Sequence, residues 1–196
     1  RSEWMRQLDI AYFVHWCASI FAALTCLAYV ALAPLALILI GRRDAIGSAL
    51  DGRFCIAIYA LGLLVGAYGV LVRRRKFSVR EIDIAVQDLP SEFEGFTIAH
   101  LSDLHIGTLT PKSWGDRWAR AASERNPDIA VVTGDMVTSG TDFHDDIASV
   151  VGSIDSKLGV FVSMGNHDYF GDGEPLISML GAKGARVLRN EGVVLE

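Results

Sequence analysis

A short apolar run leads straight into two polar side chains in the stretch Phe96-Thr97-Ile98-Ala99-His100-Leu101-Ser102-Asp103-Leu104-His105. The length and composition of the run predict a buried β-strand. If the chain stays extended to the end of this stretch, the side chains of Asp103 and His105 point to the same side. A carboxylate oxygen and an imidazole nitrogen aimed at one point form half of a metal site. An isolated Asp-x-His pair is more often solvated surface, so the interpretation depends on the rest of the chain.

The same pattern recurs twice further along the sequence. The apolar run 128–133 ends in Gly134-Asp135, and the run 159–164 ends in Gly165-Asn166-His167-Asp168. In both places a glycine stands just before the potential ligand, where it allows the close backbone approach that a crowded ion site needs. Three strands that each end in a ligand-type side chain predict one shared site.

Helical segments separate the three strands. Pro111 is predicted to open one helix, with Thr110 as its cap and Asn126-Pro127 as its end. Apolar residues recur at helical spacing from Phe143 to Ile154, which predicts a second helix. The sequence also predicts a strand at Ile82–Val86, a short helix at Pro175–Leu180, and strands at Arg186–Leu188 and Val193–Leu195. This alternation predicts an α/β fold with a largely parallel sheet, in which sites lie beyond the carboxyl ends of the strands.

The composition narrows the class of protein. The chain has 196 residues, is 51% hydrophobic and carries a formal net charge of −5. No basic stripe lies outside the apolar N-terminal region, which argues against nucleic acid as a partner. The three cysteines lie inside apolar runs without paired spacing and are interpreted as packing residues. Because the sequence lacks an initiating Met and stops within the expected sheet, we expect it to be a fragment.

Two long runs before residue 73 contain no charged residue. Ile10–Ile40 exceeds the ~20 residues that a membrane-spanning helix needs, with Pro34 expected to bend or end it, and Phe54–Val72 is almost long enough for a second span. Buried helices of a soluble domain are the alternative. A signal peptide is disfavoured because the first run is too long and the second is followed by basic residues. We predict a membrane anchor over residues 1–76, with spans at about 10–40 and 54–72, and a second domain over 77–196.

The distribution of basic residues predicts the orientation of the anchor. Two spans place seven basic residues on the side of the second domain and three on the side of the connecting loop. The positive-inside rule then puts the second domain in the cytoplasm. A channel or transporter role is disfavoured because neither span carries a charged residue.

The donor set at the strand ends indicates the chemistry. Carboxylates, an imidazole and an amide oxygen, without a thiolate, suit Mn²⁺, Fe or catalytic Zn²⁺. Asp135 could bridge two ions, and two ions can hold both the attacking and the leaving oxygen of a phosphoryl displacement. His167 is predicted to protonate the leaving oxygen, with Asp168 orienting its ring. The alternative for His167 and Asp168 is a hydrogen-bonded loop pair.

The remaining histidines are interpreted as structural. His100 has the opposite strand parity to Asp103 and is expected in the core. His144 lies off the apolar face of its helix and is expected to be solvated. His15 is expected to be an interfacial or bundle-facing polar residue of the first span.

The ordered set Asp103-x-His105, Gly134-Asp135 and Gly165-Asn166-His167-Asp168 closely resembles the calcineurin-like metallophosphoesterases. The flanking segments 89–96, 102–107 and 188–191 resemble the membrane-anchored bacterial branch of that family. The resemblance covers about residues 82–196. It implies an αββα sandwich in which Asp103 and His105 hold one metal ion, Asp135 bridges two, Asn166 holds the second, and His167 donates a proton.

The chain also departs from the family pattern. Members supply further histidines downstream, including a Gly-His-x-His motif, whereas no histidine follows His167 in this sequence. The resemblance therefore implies a parent hydrolase, and we expect residues 73–196 alone to fold poorly, bind metal weakly and have little or no activity.

The substrate implied by the resemblance is a phosphoester or pyrophosphate. Anchoring beside the bilayer favours a lipid-linked one, such as the UDP-2,3-diacylglucosamine that some relatives of this branch cleave, while a soluble phosphodiester or a phosphoprotein stays open. The alternative function is a non-catalytic, membrane-tethered binding or scaffold protein that retains the fold.

Overall fold

A computed structural model describes residues 3–49 and 52–195. Arg1, which was counted in the orientation of the anchor, lies outside the described residues. The chain divides into two compact units, Arg1–Ser78 and Val79–Glu196. We call them the N-terminal unit and the C-terminal unit.

The N-terminal unit is helical. Its described residues form α1 (Glu3–Leu39), α2 (Ile46–Ala49) and α3 (Arg53–Leu71), with single 3-10 turns at Arg43–Ala45 and Arg73–Arg75. Trp4–Leu39 and Arg53–Arg75 are each long and apolar enough to cross a membrane, with a mean hydropathy of 2.3, and little of either is buried. Helix α1 does not end at Pro34 but runs through it to Leu39.

Helices α1 and α3 pack antiparallel through small residues. A Cβ atom added at Gly62 would lie 3.1 Å from the carbonyl oxygen of Ala18, and one at Gly66 would lie 3.2 Å from that of Val14. This spacing of two glycines lets the helix backbones approach closely, as in pairs of membrane helices. His15 Nδ1 lies 2.5 Å from the hydroxyl of Tyr59, so this histidine faces the other helix, as predicted for a bundle-facing residue.

The C-terminal unit contains one parallel sheet of four strands in the order β1-β2-β3-β4. The strands are β1 (Ile98–Ser102), β2 (Ile129–Thr133), β3 (Val160–Ser163) and β4 (Arg186–Val187). Three helices connect them in turn, namely α4 (Lys112–Ser123), α5 (His144–Val151) and α6 (Glu174–Ala182). The α/β class and the parallel sheet are therefore confirmed.

All three helices pack on the same face of the sheet. Right-handed crossovers that advance in one direction along a sheet place their helices on one side. Ala130, Val132 and Val162 of the sheet lie in one buried cluster with Ala119, Ile147, Val150, Val151, Leu176 and Leu180 of the helices. The core of this unit therefore lies between the sheet and a single helical layer.

The opposite face of the sheet is exposed at β1, whereas Ile129 of β2 and Phe161 of β3 on that face are buried. Ile98 is 58% exposed, and His100 is exposed with its Nε2 2.7 Å from the hydroxyl of Thr133. The prediction that His100 lies in the core is wrong, because Ala99 and Leu101 are the β1 residues that pack on the helices.

Several smaller predictions also need correction. No strand forms at Ile82–Val86 or at Val193–Leu195 in the described part of the chain, and Ile82 and Ile84 are 72% and 78% exposed. Helix α4 has Pro111 at its cap position, so it begins one residue later than predicted. The prediction that His144 is solvated is wrong, because this first residue of α5 is only 3% exposed.

Candidate metal centre

The candidate ligands lie just beyond the carboxyl ends of β1 and β2. The chain leaves the extended conformation at this point, because Asp103, His105 and Asp135 have φ angles of +53°, +43° and +45°. Non-glycine residues adopt this left-handed region only at an energetic cost, and such strain concentrates at functional sites. The side chains of Asp103 and His105 therefore converge as expected. The expected reason, an extended backbone, is wrong.

Backbone hydrogen bonds hold the two ligand loops side by side. The amide of His105 donates to the carbonyl of Asp135 (2.9 Å), and the amide of Ile106 donates to that of Met136 (2.8 Å). A parallel bridge between Ile106 and Val137 extends the pairing beyond the sheet. The left-handed residues thus redirect the side chains while the loops stay paired.

Asp103, His105 and Asp135 form a compact cluster. One ligand atom from each lies within 4.8 Å of the other two, and His105 Nε2 is 3.9 Å from Asp135 Oδ2. Ligand atoms bound to one ion at about 2.0–2.2 Å lie within about 4.4 Å of each other. The three ligand atoms would draw somewhat closer together to hold one ion, and the carboxylate and imidazole donors suit Mn²⁺, Fe or Zn²⁺.

Two glycines make room for the Asp135 carboxylate. Gly134 has a φ of +61°, and a Cβ atom added to it would lie 3.1 Å from the Cα of Gly165. A Cβ atom on Gly165 would overlap both Oδ1 and the backbone nitrogen of Asp135. The close backbone approach that the sequence predicts for these glycines is thus present.

The third loop brings His167 to the same cluster. Its amide donates to Asp135 Oδ1 (3.0 Å), and its ring centroid lies 4.8 Å from that of His105 at an interplanar angle of 87°. Asn166 precedes it and is exposed. The loop after β3 therefore places His167 beside the acidic cluster, with the Asn166 amide one residue away.

Asp168 and the His167 ring have other partners than the sequence suggested. Asp168 is 2% exposed, and its carboxylate accepts hydrogen bonds from the amides of Val137 (3.0 Å) and Gly165 (2.8 Å). His167 Nδ1 lies 2.7 Å from the carbonyl oxygen of Thr138. The Asp168 carboxylate therefore links the loops after β2 and β3. The group that contacts the His167 ring is the Thr138 carbonyl, not Asp168.

Two contacts at the site were missed by the sequence analysis. The hydroxyl of Ser102 donates to Asp103 Oδ2 and also lies 3.2 Å from the Thr133 carbonyl. Thr138 contacts His167 through its main chain. The serine precedes the Asp-x-His pair and could have been noticed, whereas a main-chain contact leaves no signal in side-chain types.

Comparison with known proteins agrees with this geometry. The family model described as calcineurin-like phosphoesterase matches residues 96–194. A zebrafish "transmembrane protein with metallophosphoesterase domain" is 29% identical over 76% of this chain and 35% of its own length. An "uncharacterized metallophosphoesterase" of Aquifex aeolicus is 31% identical over 68% of this chain and 50% of its own.

A third relative carries a more specific name. The "UDP-2,3-diacylglucosamine pyrophosphatase LpxG" of Chlamydia muridarum is 33% identical over 41% of this chain and 26% of its own length. The chain thus spans between about a quarter and a half of the length of these three relatives. The family match covers just over half of the chain, and it includes every residue of the candidate metal centre. The chain belongs to the calcineurin-like phosphoesterase family.

Proposed function

We propose that this chain provides the anchor and part of the active site of a membrane-bound hydrolase that cleaves a phosphoester or pyrophosphate bond with two divalent metal ions. The observation that carries the proposal is the clustering of Asp103, His105 and Asp135 beside His167. Family membership supports phosphoester hydrolysis in general.

Each residue of the cluster has a distinct role in the proposal. Asp103 and His105 would hold the first ion, Asn166 would hold the second, and Asp135 would contribute to both. When bound, two such ions supply an activated water and neutralise charge on the phosphoryl oxygens. Asp168 keeps the loops that carry these ligands together, because it binds one amide from each.

His167 is the proposed proton donor to the leaving oxygen. A carbonyl oxygen only accepts hydrogen bonds, so Nδ1 carries a proton when it contacts Thr138. Nε2 is then the ring atom that exchanges a proton with the leaving group. This role rests on the contact between the rings of His167 and His105, whose centroids lie 4.8 Å apart.

The substrate is proposed to be lipid-linked. The relatives named as UDP-2,3-diacylglucosamine pyrophosphatases support a diphosphate joined to an acylated sugar, and two apolar helices long enough to span a bilayer support access to lipids. We further propose that the protein lies in a bacterial inner membrane with the C-terminal unit in the cytoplasm, because basic residues concentrate at Arg73–Lys76. Alkaline phosphatase fused after Lys76 should be inactive in cells, and an active fusion would reverse this orientation.

The full-length protein in detergent micelles should hydrolyse bis(p-nitrophenyl) phosphate or UDP-2,3-diacylglucosamine in the presence of Mn²⁺. Asp135→Asn should lower the rate by more than the about 10- to 100-fold that loss of a group hydrogen-bonded to a metal ligand costs, because Asp135 is itself a proposed ligand. Asp116→Asn is the matched control, because Asp116 lies on α4 and pairs with Lys112. Equal rates for the two variants would refute the proposal, and metal binding without turnover would favour the non-catalytic scaffold.

A further inference from the structure

We propose that Thr138 is a positioning residue that ties the loop of His105 to the ring of His167. The inference rests on the proposed role of His167 as proton donor. It concerns a residue outside the candidate ligand set, in the segment that follows Asp135. Thr138 contacts both neighbouring loops, one through its side chain and amide and the other through its carbonyl group.

Two hydrogen bonds anchor Thr138 to the loop after β1. Its hydroxyl donates to the carbonyl oxygen of His105 (3.0 Å), and its amide donates to the carbonyl oxygen of Ile106 (3.2 Å). These bonds hold the amide and the side chain of Thr138 against the loop after β1, while its carbonyl group contacts the loop after β3. They also restrain the main chain of a proposed metal ligand.

The carbonyl group of Thr138 selects the tautomer of His167. It lies 2.7 Å from Nδ1, which must donate the proton in this contact. The ring of Phe170 lies 4.7 Å away, centroid to centroid, and limits the ring's freedom on another side. Because Nδ1 is engaged by the carbonyl, Nε2 is the ring nitrogen of His167 that is left for the proposed proton transfer.

Gly107 explains why the Thr138 side chain fits in this position. A Cβ atom at Gly107 would lie 2.7 Å from the Thr138 hydroxyl oxygen and 3.1 Å from its Cβ. Gly107 does not have a left-handed φ angle, so the cost of alanine there is steric. Gly107→Ala should therefore displace the threonine hydroxyl without changing residue 138.

The hydrogen bond of the Thr138 hydroxyl can be removed without changing the shape of the side chain. Thr138→Val preserves the β-branch and loses the bond to the His105 carbonyl, while Thr138→Ser retains a hydroxyl. Loss of one neutral hydrogen bond predicts an effect of about three- to tenfold. Ser139→Ala is the control, because Ser139 is the exposed neighbour and lies outside the proposed machinery.

The kinetic test compares leaving groups in the full-length protein at saturating Mn²⁺. An alkyl alcohol needs a proton as it leaves, whereas p-nitrophenolate does not. Thr138→Val and Gly107→Ala should therefore slow hydrolysis of an alkyl phosphodiester about three- to tenfold and change hydrolysis of bis(p-nitrophenyl) phosphate by less than about twofold. Thr138→Ser and Ser139→Ala should resemble wild type. Equal losses on both substrates would overturn the proposal.

A spectroscopic test does not depend on turnover. Long-range ¹H–¹⁵N correlation spectra of the metal-free full-length protein should show His167 as the Nδ1–H tautomer in wild type and as a mixture in Thr138→Val and Gly107→Ala. An unchanged tautomer in both variants would overturn the positioning role. If the wild-type protein bound Mn²⁺ but hydrolysed neither substrate, the proposed function would fail, and the tautomer measurement would still decide the role of Thr138.

Discussion

The main chain of Gly165 lies directly against the carboxylate of Asp135, so that a Cβ atom at position 165 would overlap the oxygen Oδ1. The contact joins the loop after β3 to the loop after β2. It leaves no space for a side chain at position 165 unless Asp135 moves. The glycine thus fixes the position of the central carboxylate of the candidate metal centre.

Gly165→Ala should weaken Mn²⁺ binding by about tenfold or more, because relief of the overlap displaces Asp135. Overpacking of this kind costs about 1–3 kcal/mol, and about 1.4 kcal/mol corresponds to a tenfold change in affinity. Calorimetric titration of the full-length protein with Mn²⁺ measures the effect. Gly181→Ala is the matched control, since no atom lies within 4 Å of its added Cβ, and unaltered affinity in Gly165→Ala would contradict this view of the contact.

Because of Asp128, the stability of the C-terminal unit should depend on pH in the acid range. Hydrogen bonds from Lys157 and Thr97 lower the pKa of its carboxyl group from its ordinary value of 3.8 to about 2. The carboxylate accepts bonds from Lys157 Nζ (2.8 Å), Thr97 N (2.7 Å) and Thr97 Oγ1 (2.9 Å), at the end of the sheet away from the metal centre.

Because the pKa is lower in the folded state, the stabilisation by Asp128 is fully present above about pH 4 and is lost as pH falls toward about 2. At pH 5 the wild-type protein should therefore unfold at a higher urea concentration than Asp128→Asn. At pH 2.5 the difference between their midpoint urea concentrations should be smaller. Urea titrations at the two pH values measure it, with the exposed Asp155→Asn as control. A difference that did not vary with pH would contradict the assignment.

The convergence of Asp103, His105 and Asp135 was predictable, because the carboxyl ends of neighbouring parallel strands lie at one edge of a sheet. The side of the sheet on which His100 lies was not predicted correctly. Its strand parity was counted back from Asp103, yet Asp103 has a φ of +53° and no longer belongs to the strand. A departure from extended geometry at one residue reverses an assignment that depends on a period of two.

The segment Ile82–Val86 shows a second limit of sequence patterns. Alternation of apolar and polar residues predicts a strand that has one buried face. A strand also needs a hydrogen-bonded neighbour, and alternation does not identify one. Among the described residues this segment pairs with no strand. The orientation of His167 was equally hidden, because the group that contacts its ring is a main-chain carbonyl.

The α1–α3 pair should be sensitive to the size of residue 62. The thiols of Cys26 and Cys55 interact across this pair, so they form a native reporter of its geometry. Gly62→Leu should separate the helices, because even a Cβ atom at position 62 lies only 3.1 Å from the Ala18 carbonyl oxygen. Copper-phenanthroline oxidation followed by mass spectrometry should detect less Cys26–Cys55 disulfide in this variant than in wild type. Gly69→Leu is the control, with no atom within 4 Å of its added Cβ, and equal cross-linking in both variants would contradict the packing.

Residues 73–196 expressed alone should fold poorly and show little or no phosphodiesterase activity. One face of their sheet carries His100 exposed and Ile98 58% exposed, and exposed apolar surface favours loose or associated states over a single packed one. We expect strong binding of the dye ANS, a broad urea transition and weak Mn²⁺ affinity compared with the full-length protein measured under the same conditions. Sharp cooperative unfolding together with measurable turnover of bis(p-nitrophenyl) phosphate would show that a sheet with one face only partly covered is enough to hold Asp103, Asp135 and His167 in working positions.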